Sequence, residues 1–229
     1  LPDLNNRTFN RCDIVKYPKV FESKFMSKTI KMFLAAACVI GTAINANAAP
    51  LDHMLTRGDQ GVFSRSNQLA LEWSSALGLT GMLMWSDSQS TFGKTTSAAW
   101  DAMAASAVSA ELLKVAVRRQ RPRDGNDPSA WFSDRSNRSF PSGEVAHITA
   151  IVTPFIETYR HENPAVWLLS ALPIYDGIAR MKSQAHWQTD VLAGAALGAG
   201  MGLYCQGGSC PVQISPLLRG VGLSWTGRF

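Results

Sequence analysis

The sequence predicts an all-α domain, a bundle of five helices followed by a short β-hairpin. Three observations lead there. From Ser66 onward, Ala-, Leu- and Gly-rich segments of helical length recur. Polar, turn-rich stretches separate them, and apolar alternation of the strand kind marks the tail. The 229 residues, 46% apolar and 17% charged, suit one domain plus processing segments and are enough to bury a sizeable core. Eighteen Gly and eleven Pro are too few for a collagen-like or low-complexity chain, and the apolar share is too high for a disordered one.

Each element has its reason. Residues 1–25 lie upstream of Met26 and read as a non-native or mis-assigned leader, outside the fold. In residues 26–48 a short basic stretch, Met26 to Lys31, precedes the apolar run Met32 to Ile44. Ala46 and Ala48 then form an A-x-A site, so the segment reads as a secretory signal peptide cut after Ala48. Its apolar run is short for a span of roughly 20 residues. Residues 49–66 are a lead-in, 67–205 the helical domain and 206–229 the tail.

Within the domain, helices are expected near 67–86, 97–119, 143–160, 165–179 and 188–204. Asn67 is placed to cap the first, and Thr95, Thr96 or Ser97 the second. Glu72, Asp101, Glu111, Asp176 and Asp190 interrupt the apolar runs, which favours a soluble or peripheral domain over membrane spans. Gly194, Gly198 and Gly202 recur at fours and permit close helix packing. The loop 121–140 is long enough to expect a function. After Pro211 two alternating stretches flank Arg219-Gly220, as a terminal hairpin would.

The formal charge of +5 does not make this a nucleic-acid protein. Residues 49–229 carry 15 Lys and Arg against 14 Asp and Glu, a net of +1, so the excess sits in residues 1–48. Cys12 and Cys38 also fall there. Cys205 and Cys210 remain, and in an exported chain they read as a disulfide closing a small loop. No His lies near them in sequence to complete a zinc site, and no metal site is expected.

Three clusters carry chemistry. Lys114 and Arg121 are seven apart, two helical turns, and would align two cations on one face before Pro122 stops the helix. Ordinary C-terminal charge explains them equally well. Pro141-Ser142-Gly143-Glu144 opens a helix whose free amides, with the Ser142 hydroxyl, form a ready anion site; plain N-capping is the alternative. His186 and Asp190, four apart and following Arg180, pair an imidazole with an orienting carboxylate, a spacing that structural pairs also use.

In this order the three clusters, Lys-x6-Arg-Pro, Pro-Ser-Gly and Arg-x5-His-x3-Asp, resemble the tripartite motif of the type 2 phosphatidate phosphatase and vanadium haloperoxidase superfamily. Eighteen residues separate the first two and thirty-five lie between Glu144 and Arg180. The resemblance implies a helical bundle in which Lys114, Arg121 and Arg180 bind phosphoryl oxygens. Ser142 and the Gly143 amide complete the cradle, His186 is the nucleophile and Asp190 orients it. It implies no cofactor for a phosphatase. There are two departures from the pattern. Ala179 stands for the usual Ser, and Glu144 for the His expected as general acid, leaving Glu144, or His147 one turn on, to donate the proton.

The expectation is therefore an exported phosphatase, periplasmic or secreted, acting on a phosphorylated small molecule or lipid phosphate, with peripheral membrane contact allowed. The alternatives are a vanadate-dependent haloperoxidase and, because of Glu144, a catalytically silent phosphate-binding envelope protein. Trp73, Trp85, Trp100 and Trp167 read as core or interface aromatics and His53 and His161 as surface residues. Arg118, Arg119, Arg123, Arg135 and Arg138 would broaden a positive rim, though with Asp124, Asp127 and Asp134 among them a solvated loop explains them as well, and Glu111 reads as a partner of Lys114.

Overall fold

The computed structural model describes residues 51–206, Cys210 and the backbone of two terminal strands. The segments read above as a leader (1–25) and a signal peptide (26–48) lie outside the described residues. Among those described, five α-helices follow one another: α1 (Arg65–Trp85), α2 (Thr91–Val117), α3 (Gly143–Tyr159), α4 (Ala171–Lys182) and α5 (Gln188–Gln206). Strands β1 (Val212–Leu217) and β2 (Gly220–Trp225) pair antiparallel, from Val212 opposite Trp225 to Leu217 opposite Gly220. Gly220 thus belongs to the second strand and not to the turn.

Helix starts differ from expectation for local reasons. The second helix begins six residues earlier than its pattern, because the Ser90 hydroxyl accepts from Gly93 N at 2.9 Å. Thr95 and Thr96 lie inside that helix and bond back to the Thr91 and Phe92 carbonyls, both at 2.8 Å. Asn67 is also inside its helix; its amide donates to the Gly61 and Val62 carbonyls. The fourth segment enters as a 3-10 turn, Pro164–Ser170, before α4. The second helix ends at Val117, since Arg118 adopts the left-handed conformation (φ 48°).

Helices α2, α3 and α5 pack on one another, α1 lies on α2 and α3, and α4 packs against α3 and α5. The core is built from small side chains, Ala99, Ala102, Ala146 and Ala150 among them, with Val145, Ile148 and Val152. The α5 glycines allow this closeness. A Cβ at Gly194 or Gly198 would strike the Ser142 or Ala146 carbonyl, and one at Gly202 would lie 2.6 Å from Thr153 Cβ. Gly194 seats α5 against the very residue that opens α3. The Cys205–Cys210 disulfide is present.

Large apolar side chains stand on the outer surface. Leu69, Trp73, Leu77 and Met84 share one exposed arc of α1, about 80° wide. Trp85 is 94% exposed, and Val108, Leu112 and Val115 line one exposed face of α2. Trp73, Trp85 and Trp167 are therefore surface residues, not core. Among the described residues no helix is long and apolar enough to cross a membrane.

Candidate active site

The N-termini of α3 and α5 meet at one end of the bundle, beside the loop that leaves α2. Ser142 N donates to the Asp190 carbonyl at 2.9 Å, which ties the two helix starts together. The preceding segment carries Ser139 to the same place, and everything that follows is assembled around this junction.

His186 is buried, and its Nδ1 lies 2.7 Å from the Ser139 carbonyl oxygen. A carbonyl only accepts, so Nδ1 carries the hydrogen and Nε2 keeps its lone pair. No protein hydrogen bond engages Nε2. The Asp190 Oδ2 is 3.8 Å from Nδ1, behind that bond and not in it. The expected His186–Asp190 pair is thus mediated: the backbone carbonyl fixes the tautomer and the carboxylate lends its charge. Burial, reinforced by the Arg180 and Arg121 cations, pushes His186 down to about 4 against the pull of Asp190. The ring is neutral at physiological pH.

Asp190 is itself held by others. Its Oδ2 accepts from Ser139 Oγ at 2.5 Å and from Trp187 N at 2.9 Å, and its Oδ1 from Arg119 Nη1 at 2.6 Å. Burial would raise this carboxyl, but the hydrogen bonds and the Arg119 charge outweigh it and hold it below the usual carboxylate range. Arg119, expected on a positive rim, has no exposed surface at all. It stacks over Trp131, 4.0 Å from the ring centroid, and also donates to Asp52 Oδ2 at 2.6 Å, Thr189 Oγ1 at 2.7 Å and the Pro128 carbonyl at 2.6 Å. Asp52 in turn accepts from Thr189 N at 2.8 Å, so the lead-in is built into the support of α5.

The residues expected to bind an anion lie at the same end of the bundle. Lys114 Nζ stands so close to Gly143 that a Cβ there would lie 2.8 Å from it. Glu111 Oε1 holds the same ammonium at 2.6 Å. Arg121 is not on the helix of Lys114, as its spacing had implied. The left-handed turn at Arg118 intervenes, Arg121 is extended (φ −80°, ψ 153°), and its Nη2 donates to the Arg138 carbonyl at 3.3 Å. Its segment still runs beside that of His186, since the Gln120 carbonyl accepts from Trp187 Nε1 at 2.8 Å and Arg123 N donates to the Gln184 carbonyl at 3.0 Å. Ser142 occupies the N-cap position of α3, yet its hydroxyl makes no capping bond; the oxygen is buried without a partner. Arg180 Nε is likewise buried and unpartnered. Unspent donors at a helix N-terminus between cations are what a tetrahedral oxyanion needs.

Glu144 is not poised as an acid. Arg65, at the start of α1, grips both its oxygens at 2.8 Å, and Arg180 Nη1 lies 3.3 Å from Oε2. Burial works to raise this carboxyl, but Arg65 and Arg180 prevail and hold it ionised below its ordinary range. His147 turns instead toward Glu72, 3.5 Å away. Gln68, fully buried, accepts from Arg180 at 3.1 Å and Arg65 at 3.3 Å and links the two guanidiniums. Sequence reasoning missed Arg65, Gln68, Asp52 and the burial of Arg119. None belongs to a motif, and only the 3-residue step from Arg65 to Gln68 hinted at a shared face.

All eight candidate site residues, His186, Asp190, Glu144, Lys114, Arg121, Ser142, Gly143 and Arg180, come to this one end of the bundle. Among the described residues no three His, Cys, Asp or Glu side chains gather as a metal site would require.

Residues 99–207 match the family model described as PAP2 superfamily. In three dimensions the chain is similar to the first transmembrane PAP2 type phosphatidylglycerolphosphate phosphatase from Bacillus subtilis, a crystal structure. The identity is 20% and the TM-score 0.41, covering 80% of this chain and 96% of that one. No curated protein matches in sequence.

Proposed function

Because residues 99–207 belong to the PAP2 superfamily, we propose that this protein is an exported phosphatase that cleaves a lipid phosphate or diphosphate through a phosphohistidine on His186. The observation that carries the reading is the neutral imidazole, its Nδ1–H spent on the Ser139 carbonyl, at a helix junction where the Ser142 hydroxyl and Arg180 Nε are donors without partners. Export rests on the 26–48 signal sequence. The exposed apolar arcs of α1 and α2 favour a lipid over a soluble ester.

In this mechanism Nε2 attacks phosphorus in line and the bond to the leaving oxygen breaks, its electron pair going to that oxygen. The charge that develops on the imidazole is offset by the Asp190 carboxylate 3.8 Å away, while the Nδ1–H stays on the Ser139 carbonyl. Arg121, Arg180 and Lys114, with the Ser142 hydroxyl and the first α3 amides, bind the equatorial oxygens as their charge spreads. Water then cleaves the P–N bond, returning neutral His186 and releasing phosphate. With Glu144 ionised, no carboxylic acid stands beside the leaving oxygen, which favours leaving groups stable as anions, such as the phosphate monoester released from a diphosphate.

The test is phosphate release from phosphatidate, a polyprenyl diphosphate and p-nitrophenyl phosphate, by the wild type and by His186→Ala. Wild type is expected to turn over the diphosphate fastest, and the variant to lose about a thousandfold or more. Equal release by both proteins on every substrate overturns the proposal. So does acid-stable protein phosphate in place of the acid-labile phosphoramidate.

A further inference from the structure

The interior between α1, α3 and α4 holds a second set of charges, continuous with the site but not used by the mechanism above. Asp176 lies at its centre, on α4, one turn before Arg180. It has no exposed surface, and neither carboxylate oxygen has a hydrogen-bond partner. From α1 it is faced by Arg65 and Glu72, from α3 by Glu144, and from α4 itself by Arg180. His147 of α3 stands behind Glu72, and Arg121 beyond Arg180. Where α5 packs on this part of α4 it contributes Val191 at Gly177, and the 3-10 turns Gly61–Phe63 and Pro164–Ser170 carry no titratable side chain.

The charges do not balance. Three carboxylates, Glu72, Glu144 and Asp176, share two guanidiniums, Arg65 and Arg180. The set becomes neutral when it holds one further proton, and the carboxyl without hydrogen bonds is the cheapest place for it. Burial first, and then the neighbouring Glu144, raise Asp176 to about 7. One turn on, Arg180 Nε is also buried without a partner. Residues four apart on a helix are neighbours, so an ionised Asp176 has one close remedy, which is to draw that guanidinium toward itself.

We propose that Asp176 is a positioning residue for the phosphoryl site: while neutral it leaves Arg180 to the substrate, and binding of an oxyanion draws one proton from solvent onto its carboxyl. The inference rests on Arg180 as a phosphoryl ligand and deepens that reading. By reciprocity, each proton taken up at Asp176 strengthens oxyanion binding by the same factor with which the oxyanion strengthens protonation.

The probe is sulfate, whose charge stays fixed over the range where phosphate itself titrates. Its Kd for the full-length protein is followed by NMR titration from pH 5.5 to 8.5. In the wild type Kd is expected to stay within about twofold below pH 6 and to rise above about 7, approaching about tenfold in all by pH 8.5. Asp176→Asn keeps the neutral shape, and its Kd is expected to vary less than about twofold over the whole range. A wild-type Kd without the rise, or a rise that survives in Asp176→Asn, overturns the proposal. A rise lost in His147→Gln and kept in Asp176→Asn assigns the proton to His147 and also overturns it. Should Asp176→Asn not fold, the Asp176 carboxyl carbon is titrated in the wild type. Saturating sulfate must move its midpoint upward by about one pH unit, and an unmoved midpoint refutes the coupling. Absence of sulfate binding at every pH is a different failure, for it removes the phosphoryl site and this inference with it.

Discussion

Replacing Arg119 by Met tests the support beneath the catalytic pair. The side chains of Arg119, Asp52 and Asp190 all have zero exposure, so the substitution leaves two buried carboxylates without their shared cation. Neither is left bare. Asp52 keeps Thr189 N and Oγ1, at 2.8 and 2.6 Å, and Asp190 keeps Ser139 Oγ and Trp187 N, at 2.5 and 2.9 Å. The loss is therefore that of one broken buried ion network, about 4 kcal/mol, near the middle of the usual 3–5. This corresponds to roughly a thousandfold in the folding equilibrium and a Tm lower by about 8–16 °C. The assay is urea unfolding at pH 7, where the midpoint should fall with m unchanged. The gap should narrow at acid pH, because Asp190 is held low by Arg119 and its contribution disappears as pH falls through that depressed pKa. In residual activity kcat should drop more than KM changes, since Asp190 acts through His186 and not on substrate. A variant within about 1 kcal/mol of wild type at pH 7 would refute the reasoning.

Three further outcomes are expected. His186 is at about 4 when folded and near 6.5 when unfolded, so the unfolded chain takes up the proton first. Its stability contribution is complete above pH 6.5 and is lost on falling to 4, about 3 kcal/mol in all; urea unfolding of His186→Gln should lack that slope. Glu144→Gln should leave kcat largely intact and lower KM, because it removes a negative charge from a cation site; a hundredfold loss of kcat at constant KM would restore Glu144 as the acid. Gly198→Ala should destabilise by about 2 kcal/mol or more, since its Cβ meets the α3 backbone, whereas Gly78→Ala, with nothing within 4 Å, should stabilise by about 0.5–1. Thermal unfolding of both variants gives the comparison.

The helices were legible because their composition is periodic and their neighbours are turn-formers, and the close packing of α5 was legible in three glycines at fours. Helix starts were less so. Ser90 and Thr95 are both good capping residues, and only the geometry of the 86–90 turn decides between them. The end of α2 was missed for a similar reason. Nothing in Val117-Arg118-Arg119 forbids another turn of helix, and the left-handed Arg118 is stabilised by pairings that lie far away in sequence. Its carbonyl takes Ser133 N at 3.1 Å and Ser133 Oγ at 2.7 Å.

That single turn separates what the motifs tell from what they cannot. Had the helix run on, Lys114 and Arg121 would share a face and Arg119 would point elsewhere. Instead the chain breaks, Arg121 swings to the His186 side, and Arg119 is driven into the interior against Trp131, Asp52 and Asp190. In the proposed reading the motif residues face the oxyanion, so their types are dictated by its chemistry and can be read one at a time. The residues that hold them are dictated by partners 67 to 79 positions away, as Arg119 is by Asp52 and Glu144 by Arg65. A lone Arg carries no sign of which role it has until the fold brings its carboxylate. The same logic explains Glu144: its place in the motif marks it as a reacting group, while its two guanidinium neighbours make it a brace between α1, α3 and α4. Its negative charge, set between Arg65 and Arg180, offsets their mutual repulsion.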